Sequence, residues 1–198
     1  MVYTFQIMQH SNTGYLELFI GPMFSGKTSA LCNIYKQYII SKQIPIVINH
    51  SIDKRYSDND NIMVSHDNMN IPCISIKCLS DISNALIDTS QIILINEAQF
   101  FTDLKPFVLN LLAKNKSVYI AALDGDFKQN CFGDIPYLIP HCDKLTKLSA
   151  LCTQCIKSGI IGIPAPFTYR ITNETEQTIV GTTNYIPVCR KCMVMLSN

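Results

Sequence analysis

A chain of 198 residues that is 47% hydrophobic has enough apolar side chains for a full core, and suits one domain or one domain with a small appendage. Its formal net charge of +1 provides no broad field of the kind that draws a protein onto nucleic acid or an anionic membrane. No basic stretch followed by a long apolar run opens the chain and no segment is long enough to span a bilayer, so the expectation is a soluble, cytoplasmic protein with neither a nucleic-acid nor a membrane partner.

Residues 1–14 read as a flexible arm. From 15 to about 150, apolar runs alternate with helical stretches, the pattern of an α/β fold with a mostly parallel sheet. Strands are predicted at Tyr15–Ile20, Ile44–Asn49, Ile62–Ser65, Pro72–Ile76, Gln91–Ile95 and Val118–Leu123. Most are continuous Ile/Val/Leu runs, as strands covered on both faces require. Helices are predicted at Thr28–Gln43, Asp81–Ile87 and Asp103–Lys114, with Ser80 and Thr102 as caps for the last two. His50 to Asn61 is polar and reads as an exposed loop. The composition shifts at Leu151, and residues 151–198 read as a second, smaller unit. In it, Phe167–Ile171 and Gln177–Val180 are candidates for a hairpin.

Between the first strand and first helix lies Gly21-Pro22-Met23-Phe24-Ser25-Gly26-Lys27-Thr28, which fits the phosphate-loop pattern at every fixed position. Backbone N–H groups and the helix dipole favour a nucleoside triphosphate there, Lys27 can reach its terminal phosphates, and Thr28 offers a hydroxyl to Mg2+. A second constellation is Asn96-Glu97-Ala98-Gln99-Phe100-Phe101, at the end of an apolar strand some seventy residues after the loop. Such a strand end places a polar group beside the metal. Asn96 stands where an acidic residue is usual, and Glu97 can accept a proton from an attacking hydroxyl. The third is Leu123-Asp124-Gly125-Asp126-Phe127-Lys128 with Phe132-Gly133 behind it. Its aromatics either stack on a flat base or pack in the core.

Nine cysteines is a high count. Cys32, Cys73, Cys78, Cys131 and Cys142 are scattered and read as buried or partly buried thiols. Cys152, Cys155, Cys189 and Cys192 form two CxxC pairs separated by 33 residues, the ligand set of a structural Zn2+ whose intervening chain folds out and returns. With four sulfur ligands, no coordination position is left for a catalytic water.

The runs GPMFSGKTS, DKRYS, SHD, NEAQFF, ALDGDF and YIPVCRKC, with the two CxxC pairs, occur in an order and spacing that resemble the type II thymidine kinase family of animal cells, bacteria and large DNA viruses. The resemblance covers Tyr15 to Cys192, and the short tail after Cys192 suits a viral type better than animal enzymes with their C-terminal extension. It implies a RecA-like phosphate-loop domain over 15–150 and a zinc-binding domain over 151–198, whose lasso loop closes over the nucleoside. It also implies transfer of the γ-phosphate of ATP to thymidine, with deoxyuridine tolerated.

Residue by residue, the resemblance places Asp53 and Arg55 near the phosphates, with Arg55 stabilising charge on the transferring group, and makes Glu97 the base. Gln99 matches a polar residue at the nucleotide site. Phe100, Phe127 and Phe132 match aromatics around the nucleoside. Met23, Leu123 and Thr168 match the thymine-methyl pocket. Thr178, Ile179 and Val180 match the lasso backbone that reads the base, and Tyr185 a lasso tyrosine. His66 and Asp67 match a further pair with no chemistry legible from spacing. Two departures are Asn96, where the family has Asp, and Asp126 and Lys128, which flank Phe127 in place of Thr and Gln or Arg. The resemblance further implies a homotetramer, with dimers as the other option, and feedback inhibition by thymidine triphosphate. Competing readings are a broader deoxynucleoside kinase, a phosphate-loop zinc-ribbon nucleic-acid ATPase and a kinase-like binder without catalysis.

Overall fold

The computed structural model describes residues 13–52, 61–64, 69–179, 181 and 183–197. Strand β1 (Tyr15–Gly21) leads through the glycine-bearing turn to helix α1 (Lys27–Ile40), then β2 (Ile46–His50). A short antiparallel pair follows, β3 (Ile62–Val64) and β4 (Asn70–Pro72), then β5 (Ile74–Ile76) and α2 (Asn84–Ile87). The chain continues through β6 (Ile92–Asn96), α3 (Leu104–Ala113), β7 (Ser117–Leu123), α4 (Ile135–Leu138) and β8 (Lys144–Lys147).

Six strands form one sheet in the order β5-β2-β6-β7-β1-β8, and every neighbouring pair is parallel. Side chains alternate between two cores, as the pleat requires. Leu18, Ile20, Ile93, Ile95 and Ile120 pack with Leu104, Val108 and Leu111 of α3 on one face. Phe19, Val47, Leu94, Tyr119 and Ala121 pack with Leu31, Ile34 and Tyr38 of α1 on the other. Cover on both faces explains why these strands read as unbroken apolar runs.

The C-terminal part comprises β9 (Ala150–Leu151), α5 (Thr153–Lys157), β10 (Pro164–Ala165), β11 (Phe167–Arg170), β12 (Tyr185–Val188) and α6 (Arg190–Ser197). It has its own apolar cluster around Ala165, Val188, Met193 and the buried Cys152 and Cys189. The hydroxyl of Thr168 on β11 accepts a hydrogen bond from the Met23 amide (2.9 Å), which ties this part to the phosphate loop.

Several expectations change. β8 has the polar sequence Lys-Leu-Thr-Lys and lies at the sheet edge with one face open, so it carries no apolar run to announce it. The 72–76 stretch is two strands, Asn70–Pro72 and Ile74–Ile76, which pair with different partners. Ser83, not Ser80, caps α2, accepting from the Leu86 amide (3.3 Å). α3 starts at Leu104 with Asp103, not Thr102, at its cap position, and the Asp103 carboxylate accepts instead from the Leu79 and Ser80 amides (3.2 and 2.8 Å). β11 pairs antiparallel with β12 rather than with 177–180, and Gln177 to Ile179 form no strand. His50 is a buried strand residue rather than part of an exposed loop, and Cys131 is exposed. Asp53, Arg55, His66, Asp67 and Val180, and all but two residues of the arm, lie outside the described residues.

Candidate active site

Because the sheet is parallel, the ends of β1, β2, β6 and β7 open onto one edge, where α/β proteins bind ligands. The phosphate loop occupies the end of β1. Gly26 holds φ 81°, a left-handed conformation that glycine adopts without strain, and a Cβ there would meet nothing within 4 Å, so backbone conformation alone explains the residue. At Gly21 the reason is contact: a Cβ would sit 2.5 Å from the Leu148 carbonyl oxygen. The Lys27 ammonium is folded back over the loop and donates to the Pro22 carbonyl (2.6 Å), as does the Ser25 hydroxyl (2.9 Å). α1 has neither a side-chain cap nor an acidic residue in its first turn. Its leading N–H groups are therefore suited to an anionic ligand.

At the end of β6, Glu97 adopts φ 51° and ψ 38°. A non-glycine residue held there carries strain of about 1–3 kcal/mol, a mark of functional turns. Gln99 fixes the carboxylate: its Nε2 donates to Glu97 Oε2 (2.7 Å), while its Oε1 accepts from the Leu123 amide at the end of β7 (3.0 Å). Gly133 allows this arrangement, since a Cβ at that position would lie 2.4 Å from the Gln99 carbonyl oxygen. Asn96 is 1% exposed and bridges in both directions. Its Oδ1 accepts from the Thr28 hydroxyl (3.3 Å) and its Nδ2 donates to Asn49 Oδ1 on β2 (2.9 Å). An amide can make both contacts at once; an ionised aspartate can only accept.

A cleft of about 860 Å³, open mouth included, runs from this edge beneath the C-terminal part. The loop residues Met23 to Thr28 line one end, with Glu97 on the wall. Phe100, Leu123, Phe127, Phe132, Thr168, Thr178, Ile179 and Tyr185 also line it. Phe100 meets Phe132 edge-on (5.4 Å, 89°), which holds both rings upright. Gly21, Pro22, Asn96 and Gln99 do not line the cleft; they shape its floor from behind.

The four paired cysteines come together, with all sulfurs within 4.8 Å of one another. Cys155 Sγ lies 3.8 Å from Cys189 Sγ and 3.7 Å from Cys192 Sγ. The edge of a tetrahedron with Zn–S bonds of about 2.3 Å is about 3.8 Å, whereas a disulfide needs about 2.05 Å. Cys152 Sγ also accepts from the Cys189 amide (3.2 Å), a contact suited to a thiolate. The donor set fits a structural metal.

The thymidine kinase family model matches residues 14–193. The chain is 41% identical over 180 residues to the thymidine kinase of Sheeppox virus (strain KS-1), covering 90% of this chain and 96% of that protein. It is 36% identical over 190 residues to the thymidine kinase of Yaba monkey tumor virus (strain VR587), covering 96% and 99%. It is 37% identical over 184 residues to that of Monkeypox virus, covering 92% and 98%. The chain belongs to the thymidine kinase family. It is therefore a phosphotransferase, and the RecA-like arrangement expected of the family corresponds here to the parallel sheet with β7 between β1 and β6. No helix among the described residues is long and apolar enough to cross a membrane.

This kinase also lines its cleft with Gly125 and Asp126 of the third constellation, and with Ile52 and Gln177, to which the sequence assigns no site role. It also buries Arg170 behind the cleft. Arg170 follows Thr168 by two on β11, so strand alternation puts both on one face, and that period-two spacing is the sequence signal for Arg170. His50 is the other residue sequence did not assign. Its ring packs against Phe101 (4.7 Å) and Phe100 (5.6 Å), and its Nδ1 accepts from the Ile52 amide (3.1 Å), which leaves the proton on Nε2. Burial lowers its pKa below the ordinary 6.5, outweighing the upward pull of a backbone contact to Lys77 and of the Glu97 charge. The unfolded chain therefore takes up a proton near pH 6.5 that the folded chain refuses, so stability is full above that pH and falls as pH drops below it. His50→Asn, which keeps an acceptor for Ile52, should flatten this loss when melting temperature is measured from about pH 7.5 to 5. Unchanged pH dependence in the variant would assign the loss to other groups.

Proposed function

We propose that this kinase transfers the γ-phosphate of ATP to the 5′-hydroxyl of thymidine, giving thymidine monophosphate and ADP. The observation that carries the reading is a cleft with the phosphate loop at one end, a strained and oriented carboxylate on its wall and aromatic side chains beyond. The loop and Lys27 hold the phosphates. Glu97 accepts the 5′-hydroxyl proton as that oxygen bonds to the γ-phosphorus and the bond to the β-phosphate oxygen breaks. Phe100, Phe127 and Phe132 clamp the base, with Met23, Leu123 and Thr168 around its methyl group. Thr178, Ile179 and Val180 read its edge through main-chain groups, and Tyr185 covers it. Asp53 and Arg55 act beside the phosphates by family resemblance. A methyl-sized pocket discriminates by only ~1–3 kcal/mol, so deoxyuridine is accepted as well.

Thr28 is placed to hold Mg2+, which neutralises phosphate charge when bound, and Asn96 positions the Thr28 hydroxyl. We assign the four-sulfur cluster to a structural Zn2+. The chain divides at about residue 150 into a nucleotide-binding domain and a zinc-binding domain with the lasso. Feedback inhibition by thymidine triphosphate would occupy both ends of the cleft, and the assembly is a homotetramer; competition against thymidine and sedimentation analysis test these two readings.

ADP release should depend on thymidine and not on added DNA. Glu97→Gln should keep ATP binding and lower kcat ~10²–10⁴-fold. DNA-stimulated hydrolysis would instead support a nucleic-acid ATPase, and near-normal turnover in the variant would move the base role elsewhere. Elemental analysis should find one zinc per chain, and Cys189→Ser should lose it and weaken thymidine binding; full activity without zinc would remove the assignment. Asn96→Asp should lower the Mg2+ concentration that half-saturates both turnover and ATP-analogue binding, provided Asn49 turns its amide to donate to the new carboxylate. Coincident titrations would show that position 96 does not sense the metal.

A further inference from the structure

Arg170 is 4% exposed and lies outside the cleft lining, yet its guanidinium contacts the main structures that shape the nucleoside end. Nη1 donates to the carbonyls of Glu174 (2.9 Å) and Glu176 (2.5 Å), and Nη2 to the carbonyl of Gln177 (3.1 Å) and the hydroxyl of Tyr185 (2.5 Å). Its Cζ lies over the Phe127 ring, 3.7 Å from the centroid. One side chain thus fixes the backbone of the 174–177 loop, orients Tyr185 and backs Phe127. These carbonyls are satisfied by a side chain rather than by a partner strand, which is why Gln177 to Ile179 form no hairpin with β11.

A second tie closes the same loop from the opposite wall. Gln177 Nε2 donates to Asp126 Oδ2 (2.9 Å). Asp126 Oδ1 meanwhile accepts from the amides of Lys128 (2.9 Å) and Asn130 (2.8 Å), so its carboxylate is held by its own turn before it meets the lasso. We infer that Arg170, together with the Asp126–Gln177 bridge, is a positioning latch: it sets the lasso and the aromatic walls in their ligand-ready arrangement before the nucleoside arrives. This rests on the thymidine kinase reading for its substrate, but the ordering of the loop does not. Arginine suits the position because its planar guanidinium, with five donors in a fixed fork, can lie flat on Phe127 while it donates to three carbonyls and a hydroxyl; an ammonium has three donors and no plane.

Glu174 and Glu176 are exposed, so a glutamate-specific protease reports the loop directly in ligand-free protein. Arg170→Met and Arg170→Lys should both speed cutting at these sites. Both should raise the thymidine KM by about 10- to 100-fold with the ATP KM little changed. Failure of the lysine variant to rescue separates geometry from charge. Gln177→Ala and Asp126→Ala should each speed cutting, and the double variant should add nothing to the faster single one. If the arginine variants do not fold, that cycle decides the matter. Cutting rates like the wild type, strictly additive effects in the cycle, or ATP and thymidine KM values rising together would overturn the latch. If wild-type protein ignores thymidine, the substrate reading fails while the cutting rates still test the latch.

Discussion

The parallel sheet is the constraint on which the site depends. With all six strands pointing one way, Gly21, His50, Asn96 and Leu123 arrive at the same edge, and residues adjacent in space come from positions far apart in the chain. Each strand end faces the same demand: the chain must turn away from the sheet while its backbone polar groups find partners. The glycine-bearing turn into α1 and the left-handed Glu97 are two answers to it. Both also direct groups into one cleft.

Neutral amides brace this edge. Gln99 links the end of β6 to the end of β7, and Asn96 links α1 to β2 through Thr28 and Asn49. Carboxylates in those places would crowd negative charge against Glu97 and raise the cost of ionising it. Amides supply donor and acceptor together and add no charge. The departure at Asn96 is thus consistent with its surroundings: the residue it must donate to, Asn49, lies in register with it on the neighbouring strand.

The C-terminal part contributes by a different physics. It has a small apolar cluster of its own and the four-cysteine cluster, and it reaches the phosphate loop through the Met23–Thr168 hydrogen bond. A small unit with little core gains most from a metal or a buried polar hub. The sulfur set and Arg170 fill those two roles at opposite ends of the β11–β12 pair. The lasso is thereby held by side-chain contacts to its carbonyls rather than by a sheet ladder.

The apolar strands, the phosphate loop and the CxxC pairs were all legible in sequence, because each depends on local order: periodicity, a fixed run or a fixed spacing. The aromatic walls of the cleft were legible as a site only through family resemblance, and Phe127 and Phe132 could not be told from core residues by composition. What tertiary structure alone decided is the set of partnerships across the chain. The resemblance puts Gln99 at the nucleotide site, and only the fold shows that its side chain bridges Glu97 and the Leu123 amide. β8 was invisible because an exposed edge strand needs no apolar face. Beyond its spacing from Thr168, Arg170 carries no signal in sequence because a charged residue on a short strand is usually solvated, and only the fold brings it carbonyls, an aromatic face and a tyrosine hydroxyl to replace water. Sequence determined which chemical groups this protein carries and their order along the chain; the packing of distant segments determined which of them could meet.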